Sequence, residues 1–455
     1  MLSSLSGALL VSVMLGMISD QKLPNSSAPG VHVVINEIHS DPDLKTEWVE
    51  YVELYNAGDQ DADLSGWQFS SGISYTFEPD TVLAAGDYLI VAQRPAHVLA
   101  KGRAWRFALN ANRVLGPFGG KLSNETDKLV LRDAQGEVAD EVEYQLGFPW
   151  PTVGDPVPAD TAGTGHSLQL MNPLSDNDLG GSWRSAAPTP TGANRALYTL
   201  NVPPLIRQVR HAPQQPRSGE VVTVTAKVTD PDGVGAVLLL YQVVEPGRYI
   251  QLGDAEYDRL WTDVAMHDEG LKGDSVPGDG VYTVQLPKLL QAHRRLIRYR
   301  ITALDASGAL VTVPYADDPQ PNFAYFVYDG VPAWSGAVNP GNRQGLSGQT
   351  RTYGTDVMRS LPVYHLLSKA GDVEDCQCRP IPDARCNPEA GLYQWTGALV
   401  YDGVVYDHIR YRARGGGGTY EFGKNRWKFD FNRGHSFQAH DNDGSVYPVQ
   451  WDKLN

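Results

Sequence analysis

The side chains best suited to chemistry lie between residues 406 and 431, where two basic strands flank four consecutive glycines. Side chains alternate between the two faces of a strand. In the first strand this separates three cations from four apolar residues: Arg410, Arg412 and Arg414 from Val405, Ile409, Tyr411 and Ala413. In the second it separates Arg426, Lys428 and Asp430 from Trp427, Phe429 and Phe431. The pattern predicts a basic face in a chain of formal charge −15.

This basic face is predicted to bind phosphate. Glycine N–H groups approach an anion closely, and a lysine supplies a compact charge for phosphate oxygens. The candidates are Lys428, Lys424, Arg412 and Arg414, with the amides of Gly415, Gly416, Gly417 and Gly418. Lys428 is expected to be the principal contact because aromatic neighbours anchor its strand, whereas Lys424 lies in the loop. An ordinary solvated basic hairpin is the alternative.

A P-loop is excluded, although residues 418–424 fit its spacing. Asn425 stands where a P-loop has Ser or Thr, so the hydroxyl that binds magnesium is missing. A P-loop also opens a helix, whereas Arg426–Phe431 alternates like a strand. The order of strand, glycine-rich loop and lysine-bearing strand is instead found at the nucleotide end of protein kinases.

Five phrases in the last hundred residues resemble the opening of the CotH kinase-like domain, a family named for a spore-coat protein. They are LPVYHLL at 361–367, WTGALVYDG at 395–403, YDHIRYRARGG at 406–416, GKNRWKFDF at 423–431 and WDKLN at 451–455. The resemblance implies a kinase-like lobe that uses ATP and Mg²⁺ in the complete parent. The family's metal-binding and catalytic aspartates would lie downstream, so no catalytic residue is assigned and residues 1–455 alone are expected to lack turnover.

Length and composition predict several β-rich domains. A chain of 455 residues suggests about three domains, and 46 glycines and 31 prolines punctuate runs rich in Val, Thr and Tyr. The predicted fold class is mainly β: two immunoglobulin-like β-sandwiches at 31–194 and 202–330, a linker at 331–358, and a partial α+β protein-kinase-like N-lobe at 359–455. The acidic balance argues against nucleic acid as a partner.

The first module resembles the lamin tail domain. The resemblance rests on INEIH at 35–39, EWVEYVELYNAG at 47–58, DLSGWQFSSG at 63–72, LAAGDYLIVA at 83–92, LSNETDKLVLRDAQGEVADEVEY at 122–144 and GGSWR at 180–184. It implies an immunoglobulin-like sandwich that binds or positions a protein or cell-surface partner and has no catalytic residues. Alternation in residues 47–55 predicts Trp48 and Leu54 in the core and the acids in water. Pro188–Asn201, rich in Pro, Thr and Gly, is predicted to be a linker.

Two further clusters have residue types that bind metal or form disulfides. Asp268, Asp274 and Asp279 lie on a glycine-rich loop that could hold calcium. Their spacing does not fit an EF-hand, so the favoured interpretation is a solvated acidic turn that binds no metal. Cys376, Cys378 and Cys386 are the three cysteines of the chain. In an exported protein they predict one disulfide and one leftover thiol. A thiolate metal site would need a fourth ligand, for which the candidates are the neighbouring His408 or a downstream residue.

The N-terminus predicts export. The apolar run from Gly7 to Ile18 is shorter than the roughly 20 residues that span a bilayer. It suits a signal peptide, with residues 1–28 as the leader, although no Lys or Arg precedes it. A buried helix is the alternative. The expected location is secreted or cell-surface, without a transmembrane segment. Two functions are then open. The chain is either the nucleotide-binding half of a phosphotransferase that its β-sandwiches position on a partner, or a non-catalytic adhesion or scaffolding protein.

Overall fold

The computed structural model describes residues 28–42, 47–102, 107–153, 165–195, 197–337, 350–377, 395–414, 426–441 and 443–455. The protein is mainly β, with 44% strand and 9% helix, as its sequence predicts. Three units follow one another along the chain. The predicted leader lies outside the described residues except for Ala28. Within those residues, no helix has the length and apolar character needed to cross a membrane.

The first unit is a sandwich of two sheets. Its strands are β1 (Val33–His39), β2 (Tyr51–Asn56), β3 (Ala62–Asp63), β4 (Gln68–Ser71), β5 (Ile73–Thr76), β6 (Val82–Leu83), β7 (Tyr88–Ala92), β8 (Val114–Leu115), β9 (Gly119–Gly120), β10 (Thr126–Arg132), β11 (Val138–Gln145), β12 (Ser167–Leu170) and β13 (Trp183–Ala186). Helix α1 (Pro95–Gly102) follows β7. One sheet has the order β13-β12-β1-β2-β7-β8 and the other the order β11-β10-β4-β5-β9, while β3 pairs with β6.

The central strands of the first unit are covered on both faces. Leu54 packs in the core between the two sheets, whereas Tyr51 packs on the other side with Val98 of α1. Glu53 is 0% exposed and Trp48 is 49% exposed. The prediction that the acids face water and Trp48 faces the core was therefore wrong. Alternation separates core from solvent only where one face of a strand is open, and β2 has no open face.

The segment predicted as the first linker is bonded to the first unit. Glu37 accepts hydrogen bonds from the N–H and the hydroxyl of Thr189, both at 3.0 Å. Glu53 accepts from the N–H of Thr191 at 2.6 Å. The beginning of Pro188–Asn201 therefore belongs to the sandwich, because buried carboxylates on β1 and β2 hold its backbone.

The second unit is also a sandwich, which agrees with the predicted mainly β fold class. Its strands are β14 (Leu205–Ala212), β15 (Val222–Thr229), β16 (Val234–Val244), β17 (Thr262–Ala265), β18 (Val281–Leu286), β19 (Leu296–Asp305), β20 (Leu310–Val313) and β21 (Phe323–Phe326), with helix α2 (Ala255–Arg259). The sheet β14-β15-β18 packs against β17-β16-β19-β20, and β21 also pairs with β19.

The third unit contains a five-stranded antiparallel sheet in the order β24-β25-β26-β27-β30 and two separate strand pairs, β22 with β23 and β28 with β29. Its elements are β22 (Trp334–Ala337), β23 (Thr350–Tyr353), α3 (Thr355–Met358), β24 (Tyr364–Leu367), α4 (Ala370–Gln377), β25 (Trp395–Tyr401), β26 (Val404–Arg414), β27 (Arg426–Asp430), β28 (Phe437–His440), β29 (Val446–Trp451) and β30 (Lys453–Leu454). The predicted linker at 331–358 thus contains β22, β23 and α3, while its residues 338–349 lie outside the described chain.

The three units pack against one another. The second and third share an apolar cluster that includes Val244, Tyr249, Leu296, Phe326, Ala398, Val400 and Val405. The first joins the third through Arg433, whose Nε donates to the carbonyl of Val153 at 2.6 Å and whose guanidinium pairs with Asp41. The first also meets the second where the guanidinium of Arg184 lies 4.5 Å from the ring centroid of Tyr315.

Candidate functional site

A basic face runs along β26 and β27. The pairs in register on this face are Arg410 with Asp430, Arg412 with Lys428, and Arg414 with Arg426. The intervening pairs, Tyr411 with Phe429 and Ala413 with Trp427, pack on the opposite face, where Cys376 of α4 joins their cluster. The register agrees with the predicted alternation, because only one face of these two strands is covered by the apolar core.

Lys428 is partly buried and anchored within this face. Its side chain is 19% exposed, and its Nζ lies 3.2 Å from Oδ1 of Asp430. The neighbouring Trp427 and Phe429 pack into the apolar core, so the backbone beneath Lys428 is fixed. An ammonium group has three donors, and one carboxylate does not saturate them. The arrangement can therefore present a positioned cation to an anionic oxygen.

The other predicted phosphate contacts fall into two groups. Arg412 is half-buried directly opposite Lys428, and Arg414 is exposed at the end of β26. Lys424 and Gly415–Gly418 lie outside the described residues. The structure thus brings Lys428, Arg412 and Arg414 together on one sheet, and the anion-binding loop stays a prediction.

A bulge in β26 changes which side chains share a face. Between Tyr406 and Ile409 the register shifts, so Asp407 and His408 oppose a single residue of β25, and His408 has φ of 54°. Val405 consequently packs against the second unit, whereas Ile409 lies in the opposite core. The prediction that Val405 and Ile409 share a face was wrong, because strict alternation assumes a strand without a bulge.

The bulge directs Asp407 into a buried ion pair with Arg298 of β19. Nε of Arg298 lies 2.7 Å from Oδ2 of Asp407, and both side chains are 0% exposed. Tyr249 donates its hydroxyl to Oδ1 at 2.5 Å, and Asn322 donates Nδ2 to Oδ2 at 3.0 Å. Burial alone would raise the pKa of Asp407, but Arg298 holds it well below the ordinary value. A charged, hydrogen-bonded network therefore joins the second unit to the third.

Cys376 and His408 do not share a metal site. Cys376 is a free, buried thiol whose Sγ accepts from the N–H of Ala413 at 3.0 Å, and burial raises its pKa to about 11. His408 lies in the network with the second unit, where Nε2 is 2.9 Å from Oδ1 of Asn322 and burial lowers its pKa to about 3. Cys378 and Cys386 lie outside the described residues, so the disulfide stays a prediction.

The acidic loop of the second unit uses its carboxylates to bond its own backbone. Asp268, Asp274 and Asp279 accept from the N–H groups of Gly280, Gly270 and Val281 at 2.9, 2.7 and 2.8 Å, respectively. Across the described part of the chain, no group of three or more His, Cys, Asp or Glu side chains is arranged to hold a metal. Calcium at these aspartates stays a prediction.

Family comparison bears on the first unit. Residues 26–145 match the family model of the Lamin Tail Domain. The match includes β1 to β11, and it confirms the predicted resemblance over that range. Strands β12 and β13 lie beyond the matched residues but extend the same sheet, in which β12 pairs with β1 and β13 pairs with β12. No curated protein matches the chain.

Proposed function

We propose that the third unit binds the phosphates of ATP on its basic face, as the nucleotide-binding half of a CotH-type protein kinase that uses ATP and Mg²⁺ in its complete form. The observation that carries this proposal is the register of β26 and β27, which sets Lys428 beside Arg412 on one face. Two cations on paired strands offer a fixed positive site for phosphate oxygens, and such positioning is what phosphoryl transfer requires.

The ion pair between Lys428 and Asp430 supports the choice of Lys428 over a loop residue. Protein kinases also hold their phosphate-contacting lysine with a carboxylate. A side chain held in place loses less conformational freedom when it binds an anion than one on a loop does. Lys428 is therefore proposed as the principal contact, with Arg412, Arg414, Lys424 and the Gly415–Gly418 amides assisting.

Replacing Lys428 with alanine is expected to weaken ATP binding by ten- to a hundredfold, because a charge-assisted hydrogen bond contributes about 1.5–3 kcal/mol. The measurement is a calorimetric titration of the full chain with ATP and Mg²⁺. Lys288→Ala removes the same charge from an exposed position on the second unit and should leave the affinity unchanged. An ATP affinity of Lys428→Ala within twofold of the wild type would refute the site. A larger loss of affinity in Lys424→Ala would show that the principal phosphate contact lies in the loop.

We also infer that the chain is exported, secreted or held at the cell surface, where the lamin tail domain and the second sandwich hold a protein or cell-surface partner and position the third unit. The apolar run near the N-terminus and the lamin tail domain support this inference. Fractionation of producing cells is expected to recover the protein outside the cytoplasm. Recovery of full-length, uncleaved protein from the cytosol alone would contradict export.

A non-catalytic adhesion or scaffolding role is the second candidate. It is favoured by the buried pair of Arg298 and Asp407, since units joined in this way keep a fixed geometry whether or not they bind nucleotide. If the chain binds a partner but shows no measurable affinity for ATP, the adhesion or scaffolding role is favoured over the nucleotide-binding role.

A further inference from the structure

The turn formed by residues 432–435 follows β27 after a single residue, Phe431. The N–H of His435 bonds the carbonyl of Asn432 at 2.9 Å, which closes the turn. Phe431 packs in the apolar core of the third unit and fixes the chain between strand and turn. This segment, the junction turn, is therefore a direct and ordered continuation of the strand that carries Lys428.

The junction turn is bonded to the first unit. Nε of Arg433 donates to the carbonyl of Val153 at 2.6 Å, and the guanidinium also pairs with Asp41. The side chain of Asp41 is 12% exposed, and Nδ2 of Asn124 donates to its Oδ1. Burial strengthens an ion pair because less solvent screens it. The carboxylate that faces Arg433 is thus held within the first unit, and through it the first unit holds the turn.

Two further residues of the junction turn reach the second unit and its polar network. Nε2 of His435 lies 2.7 Å from Oδ1 of Asp318, a carboxylate of the second unit whose side chain is 3% exposed. Nδ2 of Asn432 donates to the carbonyl of Asp407 at 2.9 Å. The side chain of Asp407 forms the buried pair with Arg298 that joins the second unit to the third. Contacts from all three units therefore converge on the junction turn.

We propose that Arg433 and His435 are positioning residues for the phosphate site: they fix the end of β27 to the first two units and thereby hold Lys428 against Asp430. The proposal rests on the proposed function of the basic face and adds its regulation. The affinity of the third unit for ATP then depends on the contacts that the other two units make with the junction turn.

The position of β27 depends on the junction turn because β27 has a short strand on one side. It pairs with β26 through five residue pairs but with β30 through two. Asp430 lies three residues before Arg433, and its Oδ1 is 3.2 Å from Nζ of Lys428. A shift of the turn therefore moves the carboxylate that orients the lysine. A cation that must be reordered when it meets an anion binds that anion more weakly.

Hydrogen exchange of the full chain, followed by mass spectrometry, tests the positioning without nucleotide. Asp41→Asn removes the charge that faces Arg433 and keeps an oxygen for Asn124. We expect the amides of β27 to exchange about fivefold faster or more, and those of β25, which β26 separates from β27, to stay within about twofold of the wild type. The control is Asp87→Asn, which removes the partner of Arg113 inside the first unit and should change neither strand.

Calorimetric titration with ATP and Mg²⁺ tests the effect on the phosphate site. Asp41→Asn and His435→Ala should each weaken ATP binding about threefold to tenfold, whereas Asp87→Asn should bind within about twofold of the wild type. Asp41→Asn should cause no further loss of affinity when it is combined with Arg433→Met, because both substitutions remove the same ion pair.

The possible outcomes separate this inference from the proposed function. If the wild type binds no ATP, the phosphate site itself fails, and the positioning role falls with it. If the wild type binds ATP and Asp41→Asn binds it equally well, the positioning role is overturned while the phosphate site stands. Equal loss of protection in β25 and β27 would also overturn the positioning role, because the turn would then stabilise the third unit as a whole.

Discussion

Replacing Asp407 with alanine is expected to lower the free energy of unfolding by about 3–5 kcal/mol. The substitution leaves the guanidinium of Arg298 fully buried without its carboxylate, at the boundary between the second and third units. It also leaves the hydroxyl of Tyr249 and Nδ2 of Asn322 without the carboxylate to which they donate. Urea denaturation followed by tryptophan fluorescence measures the loss.

A second ion pair across the same boundary provides the control. Nζ of Lys369 lies 2.9 Å from Oδ1 of Asp254, but this pair is partly exposed. Asp254→Ala removes the same charge and should cost less than about 1 kcal/mol, because solvent screens exposed pairs. The double variant Arg298→Met with Asp407→Ala should lose less than the sum of the two single losses. Equal losses in Asp407→Ala and Asp254→Ala would show that the buried network does not hold the units together.

Replacing Glu37 with alanine is expected to destabilise the lamin tail domain by about 3 kcal/mol or more, since each buried donor left without a partner costs about 1–3 kcal/mol. The carboxyl group is fully buried, and the donors that the described residues supply to it are neutral. They include the hydroxyls of Tyr51 at 2.7 Å and Ser167 at 2.5 Å, and the N–H of Thr189 at 3.0 Å. Hydrogen exchange should show that the backbone near Thr189 loses protection. Unchanged protection there would contradict the role assigned to Glu37.

The raised pKa values of Glu37 and Glu53 also predict that the free energy of unfolding depends on pH. Burial raises the pKa of Glu37, and burial together with the charge of Glu37 raises the pKa of Glu53. The folded state therefore holds its protons more tightly than the unfolded state, so stability falls as pH rises from the ordinary glutamate pKa through the raised values. Glu37→Gln cannot ionise and should reduce this fall. Glu78→Gln, at an exposed position, should leave the slope unchanged.

The sequence predicted best the strands that have one covered face. In β26 and β27 the cations from Arg410 onwards separate from the aromatic residues as alternation requires, because the core lies on a single side. The two sandwiches followed from short strands between turn residues, such as the turn that ends at Gly233 with φ of 93°. Such patterns are local, so a single sequence carries them.

The features that join the units were not predicted, because they depend on residues far apart in the chain. Arg298 meets Asp407 across 109 positions, and the bulge that turns Asp407 towards it has no signature in YDHIRYRAR. Alternation predicts that Glu53 faces water because acids on a strand usually mark its open face, yet Thr191 hydrogen-bonds it across 138 positions. A buried charge far from its partner is visible only once the fold is known.

The most direct test of the phosphate site is a crystal structure of the protein with a non-hydrolysable ATP analogue and Mg²⁺. We expect a phosphate oxygen about 2.7–3.2 Å from Nζ of Lys428, with Arg412 on the same face. A nucleotide bound elsewhere, or no nucleotide at saturating concentration while Lys428 still pairs with Asp430, would contradict it.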